Sequence, residues 1–189
     1  MKRLLISSLA LLLIFSSCKK SKDDVKEEST ETTLEATLNG VKTKFTVSSA
    51  TLIRDKNFNA KRMDITAISA DQKHRVILTV ANTTFEGNGM DVKDYNIAMF
   101  LQDDPNTPDD ESMNDSDDGL FTYSEKIGTN NWMTDVWITN GKITLTANNA
   151  NDKTVSGTFS MKLTDIDKKK EAINFTEGKF TNVKYLVAN

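Results

Sequence analysis

The chain has 189 residues, with 24 basic and 27 acidic side chains, a net charge of −3, one histidine and one cysteine. A single cysteine excludes a disulfide within the chain and a metal site built from several thiolates, and a single histidine excludes a zinc site with two or more histidines. The acidic balance argues against nucleic acid as a partner. The length fits one domain of ordinary size.

The first eighteen residues predict an export signal. Lys2 and Arg3 are basic, residues 4–15 form an apolar run too short to span a membrane, and two serines precede Cys18. This resembles the signal of bacterial lipoproteins, in which the cysteine after the cleavage site is acylated. We therefore expect residues 1–17 to be removed, which leaves a net charge of −5. Lipid chains on Cys18 would then hold the protein to a membrane, at about 0.8 kcal/mol per buried methylene.

A charged segment, residues 18–32, follows the predicted signal, and Val25 is its only large hydrophobic residue after the cysteine. We expect a flexible tether that spans about 20 Å as a coil. Its Lys22-Asp23-Asp24 stretch resembles the acidic tract that follows the lipidated cysteine in surface-exposed lipoproteins of Bacteroidota. A solvated run of charges is the alternative. Residues 33–189 are expected to form a single domain.

Apolar residues at every second position dominate this predicted domain, and no helix keeps such residues on one face. Asn39-Gly40 separates two alternating runs and predicts a type I′ hairpin that pairs Leu34 with Phe45 and Glu35 with Lys44. Later inward-facing sets are Met63, Ile65 and Ala67, then Tyr95, Ile97, Met99 and Leu101, then Val155, Gly157, Phe159, Met161 and Leu163. We predict an all-β fold, an antiparallel β-sandwich or flattened barrel of nine to ten strands.

Three local features refine this prediction. A second Asn-Gly pair at residues 140–141 predicts another hairpin, whose parity places Trp132 in the core and Trp137 on the polar face. The apolar run 76–80 predicts a strand buried on both faces. Finally, the alternation changes phase near Gly178, which predicts a β-bulge there.

With these elements in order, the chain resembles a family of small Bacteroidota lipoproteins described only as a domain of unknown function. The resemblance lies in the opening hairpin 34–47 and in four later segments. These are Asp94-Tyr95-Asn96-Ile97, Gly141-Lys142-Ile143-Thr144-Leu145-Thr146, Val155-Ser156-Gly157-Thr158-Phe159-Ser160 and Phe175-Thr176-Glu177-Gly178-Lys179-Phe180. The resemblance implies an exported, β-sandwich-like lipoprotein, and it brings no established activity and no catalytic residues.

An acidic segment at residues 103–118 holds seven aspartates, one glutamate and both prolines. Like charges at this density repel, which predicts a solvated loop unless cations neutralise it. Four oxygen-bearing residues, together with Gly119, occupy the spacing of a calcium loop: Asn114, Ser116, Asp118 and Glu125. Calcium is therefore the one candidate cofactor. However, residues 120–124 have the pattern of a strand, where a helix normally follows such a loop.

Trp137 is the second candidate for a binding role. If it faces outward, its ring, flanked by Asp135 and Thr139 and supported by Phe121 and Tyr123, could stack on a sugar. The alternative is that Trp137 packs against a second sheet or an overlying loop.

The evidence for an enzyme is weaker. His74 lies at the start of an apolar strand and is expected to be an exposed strand end rather than a base, and the chain has no Gly-x-Ser-x-Gly elbow. We therefore expect a non-enzymatic lipoprotein of the outer membrane that acts as a binding or scaffolding module for an envelope protein or an extracellular glycan, and the sequence leaves open which face of the membrane it occupies. The alternatives are a cell-surface glycan hydrolase with paired carboxylates and a weak calcium-binding module.

Overall fold

The computed structural model describes residues 31–57, 59–98, 119–129, 131–135 and 137–188. The predicted signal, Cys18, most of the tether and the acidic segment 103–118 lie outside these residues. The described strands are β1 (Thr33–Leu38), β2 (Val41–Asp55), β3 (Ala60–Ser69), β4 (His74–Asn82), β5 (Asp94–Ala98), β6 (Gly119–Ile127), β7 (Asn131–Met133), β8 (Trp137–Asn149), β9 (Thr154–Asp165), β10 (Ile173–Lys184) and β11 (Leu186–Ala188).

All the described strands belong to one open sheet, in the order β5-β8-β9-β10-β1-β2-β3-β4-β6-β7, with β11 added beside β2. Neighbours are antiparallel, except that β11 runs parallel to β2. The prediction of an all-β antiparallel fold is confirmed. The strands number eleven, and two of them, β7 and β11, have only three residues each, too short for a clear alternating pattern. Among the described residues, none forms a helix able to cross a membrane.

The sheet curls so that its inner face encloses one hydrophobic core. Phe121 on β6 lies 6.1 Å from Phe159 on β9 and 5.1 Å from Phe175 on β10, between ring centroids, although these strands are far apart in the hydrogen-bonded order. The ends of the sheet also approach each other, because a Cβ added to Gly119 on β6 would lie 3.0 Å from Ile97 Cγ1 on β5. The core therefore consists of side chains from a single sheet that faces itself.

The Asn39-Gly40 hairpin is confirmed. Leu34 pairs with Phe45 and Glu35 with Lys44, and both turn residues have positive φ, 47° for Asn39 and 83° for Gly40. The described members of the three inward-facing sets are also buried as predicted, whereas Met99 and Leu101 lie outside the described residues. Turn chemistry and parity are local properties, and they were therefore readable from the sequence.

The hairpin predicted at Asn140-Gly141 is wrong. Both residues lie inside the continuous strand β8, where Gly141 pairs with Ile97 of β5 on one side and with Met161 of β9 on the other. A Cβ on Gly141 would lie 2.2 Å from the backbone oxygen of Ser160. This glycine therefore permits close strand packing and not a turn. The chain turns at residues 150–153 instead.

The bulge predicted near Gly178 is confirmed, and a second one follows it. The β9–β10 register shifts between Phe175 and Gly178 and again between Phe180 and Val183. The added residues, Glu177 and Asn182, have positive φ values of 52° and 49°. Two extra residues keep Phe175, Phe180 and Val183 on the same inner face, which explains the change of phase.

The strand predicted to be buried on both faces is β4, and this prediction is wrong for its outer face. Val76, Leu78 and Val80 are buried, whereas Ile77 and Thr79 are half-buried. A single curled sheet explains the difference, because among the described residues no second layer covers its outer side.

The segment 83–93 closes one end of the curled sheet over a buried lysine. Lys61 is only 3% exposed, and its Nζ donates to the Glu86 carbonyl at 2.7 Å and lies 3.6 Å from Asp91 Oδ1. Asn82 Nδ2 donates to Asp91 Oδ2 at 2.5 Å. A buried ammonium needs partners of this kind, so Lys61 and Asn82 fasten this segment to the sheet.

Candidate functional site

The three predicted sugar-contacting residues lie together at the other end of the sheet. Asp135, Trp137 and Thr139 line one small cavity of about 160 Å³, with Phe121 and Tyr123 from β6 on its opposite wall. We call it the rim cavity; Thr122 and Thr134 complete its lining. The sequence therefore identified residues that come together, although not the way in which they do so.

The predicted outward orientation of Trp137 is wrong, because Trp137 is only 6% exposed, and the sugar platform that depended on this orientation does not form. Since β8 continues through residues 140–141, Trp137 keeps the parity of Thr139 and Ile143 and faces inward. Trp132, predicted to be core, is half-buried instead. It pairs with Lys126 in the short edge strand β7, and Arg75 Cζ lies 5.1 Å from its ring centroid.

Asp135 and Lys170 form an ion pair at the mouth of the rim cavity. The hydrogen bond from Lys170 to Asp135 raises the pKa of Lys170, so the lysine keeps its positive charge throughout the physiological range. Lys170 Nζ also lies 5.9 Å from the centroid of the Trp137 ring. Lys170 lies in the loop between β9 and β10, so an overlying loop covers one face of the tryptophan, as the alternative interpretation of Trp137 expected.

A row of hydrogen bonds holds Tyr123 in the cavity wall. Its hydroxyl donates to Glu125 Oε1 at 2.9 Å and lies 2.8 Å from His74 Nδ1. The His74 and Tyr123 rings are stacked, with centroids 5.9 Å apart. Burial and the Glu125 carboxylate raise the pKa of Tyr123 well above its usual range, so the phenol stays neutral. His74, expected to be an exposed strand end, is half-buried and supports this wall.

The position of Glu125 in an extended strand does not fit its predicted role as a ligand of a calcium loop. Glu125 belongs to β6, which extends from Gly119, so at about 3.3 Å per residue Glu125 lies about 20 Å from the start of the strand. A calcium loop needs its last ligand to fold back toward the first. The other predicted ligands, Asn114, Ser116 and Asp118, lie outside the described residues. Within the described part of the chain, no group of three or more His, Cys, Asp or Glu residues is arranged to hold a metal.

A much larger concavity lies on the outer side of β8, β9 and β10, with a volume of about 1030 Å³. We call it the outer groove. Most of its lining residues are polar: Thr146, Asn148, Asn149, Asp152, Thr154, Ser156, Thr158, Lys179, Thr181, Asn182 and Lys184. The exposed lysines at positions 179 and 184 make its β10 side basic.

Two bulges lie beside the outer groove, and bulges bend strands strongly. One shifts the β8–β9 register between Leu145 and Ala147, and the other is the second bulge of β10. The Asn182 N–H donates to Ser156 Oγ at 2.9 Å, which ties the bulge of β10 to β9. The sequence contained one signal for this groove, the row of outward Thr and Ser residues along β9. The concavity itself depends on the bulges.

Acidic side chains are scarce in the outer groove. Asp152 is the one carboxylate that lines its described part, and it accepts a hydrogen bond from Asn149 Nδ2 at 2.6 Å. Hydrolysis of a glycosidic bond generally needs two carboxylates within about 10 Å. The lining of this groove is therefore suited to hydrogen bonding with a polar ligand.

Comparison with known proteins gives a family but no activity. The chain matches a family model described as a domain of unknown function, DUF6252, over residues 41–184, which corresponds to β2 through β10. No curated protein and no solved structure shows a match. The matched region contains both the rim cavity and the outer groove. The chain therefore belongs to the DUF6252 family of domains of unknown function.

Proposed function

We propose that this protein is a lipid-anchored envelope lipoprotein of the Bacteroidota type, attached to the outer membrane through Cys18, that binds an extracellular glycan without cleaving it. Support for the anchor comes from the sequence: a basic start, a short apolar run, and a lone cysteine followed by a charged tether. Support for binding comes from the outer groove.

The observation that carries the binding proposal is the lining of the outer groove. Threonine and serine hydroxyls and asparagine amides both donate and accept hydrogen bonds, as sugar hydroxyls do. The groove crosses three neighbouring strands, a width of about 10 Å. A protein partner would instead favour an apolar centre with aromatic anchors. An extended, polar chain such as a glycan fits this surface best.

Binding is favoured over hydrolysis because Asp152 has no second carboxylate beside it in the described lining of the groove. The hydrolase alternative would require the catalytic pair to come from elsewhere. Release of reducing sugar by the purified protein would therefore contradict the proposal.

The binding experiment uses the full chain with Cys18→Ser, run through native gels that contain individual polysaccharides. We expect at least one polysaccharide to retard the protein, and Thr158→Ala combined with Lys179→Ala to abolish the retardation. The matched control is Thr164→Ala combined with Lys162→Ala, on the outer face of β9 but outside the groove. Equal retardation of groove and control variants would contradict the assignment.

The anchor is tested separately in cells. We expect radiolabelled fatty acid to be incorporated into the wild type and the protein to sediment with the outer membrane, and Cys18→Ser to abolish both. A Cys18→Ser protein that still sediments with the envelope would contradict lipid anchoring.

A further inference from the structure

The outer groove carries positive charge that its own residues do not neutralise. Lys179 and Lys184 line the groove from β10, and both side chains are exposed. Among the described residues, neither lysine forms an ion pair, whereas Lys142, in the hollow next to the groove, is paired with Asp94 at 2.8 Å. Against these two cations, the described lining of the groove contains one carboxylate, that of Asp152. Two ammonium groups are therefore available to a ligand in the groove.

Two further carboxylates lie near these lysines, but both are outside the groove. Glu35 on β1 lies between Lys179 of β10 and Lys44 of β2 in the strand register, so Lys44 offsets its charge. Glu177 accepts a hydrogen bond from Thr37 Oγ1 at 3.1 Å, which holds its carboxylate over β1. Neither glutamate lines the groove, so its β10 side stays positive.

The second bulge of β10 places both lysines on the same side of the sheet. Lys184 follows Lys179 by five positions, so in a regular strand the two side chains would point to opposite faces. The extra residue at Asn182 corrects this parity, and both lysines face outward. Lys179 pairs with Thr158 and Lys184 with Thr154. Four positions on β9 separate the two lysines by about 13 Å along the groove, which suits the repeated charges of a polymer.

We infer that the ligand of the outer groove is an acidic glycan, whose carboxylate or sulfate groups bind Lys179 and Lys184 while its hydroxyls bond to the polar lining. This inference rests on the proposed function and specifies the class of glycan. Hydrogen bonds from an ammonium group to an anion are stronger than those between neutral groups. A neutral glycan would leave both ammonium groups without an anionic partner.

A nucleic acid is the other common polyanion, and the groove is poorly suited to it. Proteins that bind single strands stack the bases on exposed aromatic rings. Phe180 is the one aromatic residue in the described lining of the groove, and it is only 1% exposed. The hydroxyl and amide groups of the lining instead match the hydroxyls of a sugar chain.

The test compares polysaccharides that share a backbone and differ in charge. The full chain carrying Cys18→Ser is titrated with polygalacturonic acid and with its methyl ester in a calorimeter, at neutral pH and low salt. Dextran sulfate and dextran repeat the comparison for sulfate groups. In at least one pair, we expect the acidic form to bind at least about fivefold more tightly than the neutral form, and this preference should shrink as salt is added. The pair that shows the preference identifies the anionic group.

Two sets of variants assign the preference to the groove. Lys179→Met combined with Lys184→Met keeps the length of both side chains and removes both charges, so we expect it to bind the acidic and neutral forms equally. The matched control is Lys42→Met combined with Lys162→Met, which removes the same charge from exposed lysines of β2 and β9 outside the groove. This control should keep the preference of the parent protein.

The outcomes separate this inference from the proposed function. Equal affinity of the parent protein for the acidic and neutral forms would overturn the inference and leave glycan binding in place. Failure of every polysaccharide to bind would contradict the proposed function as well. If the control variant loses the preference to the same extent, or if single-stranded DNA binds as tightly as the acidic glycan, the surface attracts polyanions in general and the inference is overturned.

Discussion

Asp165 lies directly opposite Trp137 in the β8–β9 pair, and its carboxylate organises the turn that places Lys170 over the Trp137 ring. Asp165 Oδ2 accepts hydrogen bonds from the backbone N–H groups of Lys169 at 2.8 Å and Lys170 at 2.9 Å. One carboxylate on β9 thus determines how the mouth of the rim cavity is covered.

Replacing Asp165 with asparagine should lower the melting temperature by a few degrees at neutral pH, and the effect should vanish in acid. Burial by itself raises the pKa of Asp165, but the backbone N–H groups of Lys170 and Lys169 outweigh burial and bring the pKa below its usual value of 3.8. A lowered pKa means that the stabilisation is fully present above about pH 4 and is lost as the pH falls through the folded-state pKa. Thermal melts of both proteins at a series of pH values measure this. A difference in melting temperature between the two proteins that persists unchanged in strong acid would contradict this prediction.

Removing the Lys170 ammonium should expose Trp137. In a Trp132→Phe background, we expect Lys170→Met to increase quenching of Trp137 fluorescence by acrylamide, because the cation above the ring and its bond to Asp135 are lost. The matched control is Lys169→Met, since Lys169 pairs with Asp167 on the exposed side of the same turn. Similar quenching in the two variants would show that Lys170 does not cover the ring.

Gly141→Ala should destabilise the fold severely. The added Cβ would lie 2.2 Å from the backbone oxygen of Ser160 and 2.6 Å from Met161 Sδ, so β8 and β9 would have to separate. We expect a loss of about 3 kcal/mol in the free energy of unfolding. Gly128→Ala is the comparison, because nothing lies within 4 Å of the added Cβ. Only the positive φ of Gly128, 65°, disfavours alanine there, and we expect a loss of about 1 kcal/mol in the free energy of unfolding. Urea unfolding measures both; equal losses would contradict close packing at Gly141.

Phe175→Ala should also destabilise the fold severely, with a loss of about 3–5 kcal/mol in the free energy of unfolding. Phe175 is fully buried and lies 5.1 Å from Phe121 and 5.6 Å from Tyr123 between ring centroids, so it joins β10 to β6 across the core. Val92→Ala, at a residue that is 56% exposed, serves as the control and should change stability by less than about 0.5 kcal/mol. A small loss for Phe175→Ala in urea unfolding would mean that the curled sheet does not depend on this contact.

Lys61→Met should loosen the segment 83–93. The variant keeps the length of the side chain but removes the donor to the Glu86 carbonyl and the charge near Asp91. We expect faster amide hydrogen exchange in this segment, measured by mass spectrometry, with little change in β9 and β10. The neighbouring Arg62→Met is the control, because Arg62 is exposed and pairs only with Asp64 among the described residues. Unchanged exchange in Lys61→Met would show that the segment is held by other contacts.

Much of the candidate site could be anticipated, but its geometry could not. The sequence grouped Asp135, Trp137 and Thr139 correctly because residues only two positions apart in the chain stay close in any fold. The sequence did not predict the inward orientation of Trp137. That prediction depended on a turn at Asn140-Gly141, and Asn-Gly forms a turn only where the flanking strands pair with each other. Here β5 and β9 already pair with both edges of β8, so a turn at Gly141 is excluded. The contribution of β6 to the cavity wall arises from long-range curling of the sheet.

The sequence by itself determined the all-β fold, the Asn39-Gly40 hairpin with its register and the bulge near Gly178, because parity and turn chemistry act between residues close in the chain. Only the tertiary structure decided that a single sheet closes on its own core, that Trp137 is buried and that bulges create an outer groove. These features depend on which strands become neighbours. That choice is made by packing between residues distant in the chain, and no local pattern records it.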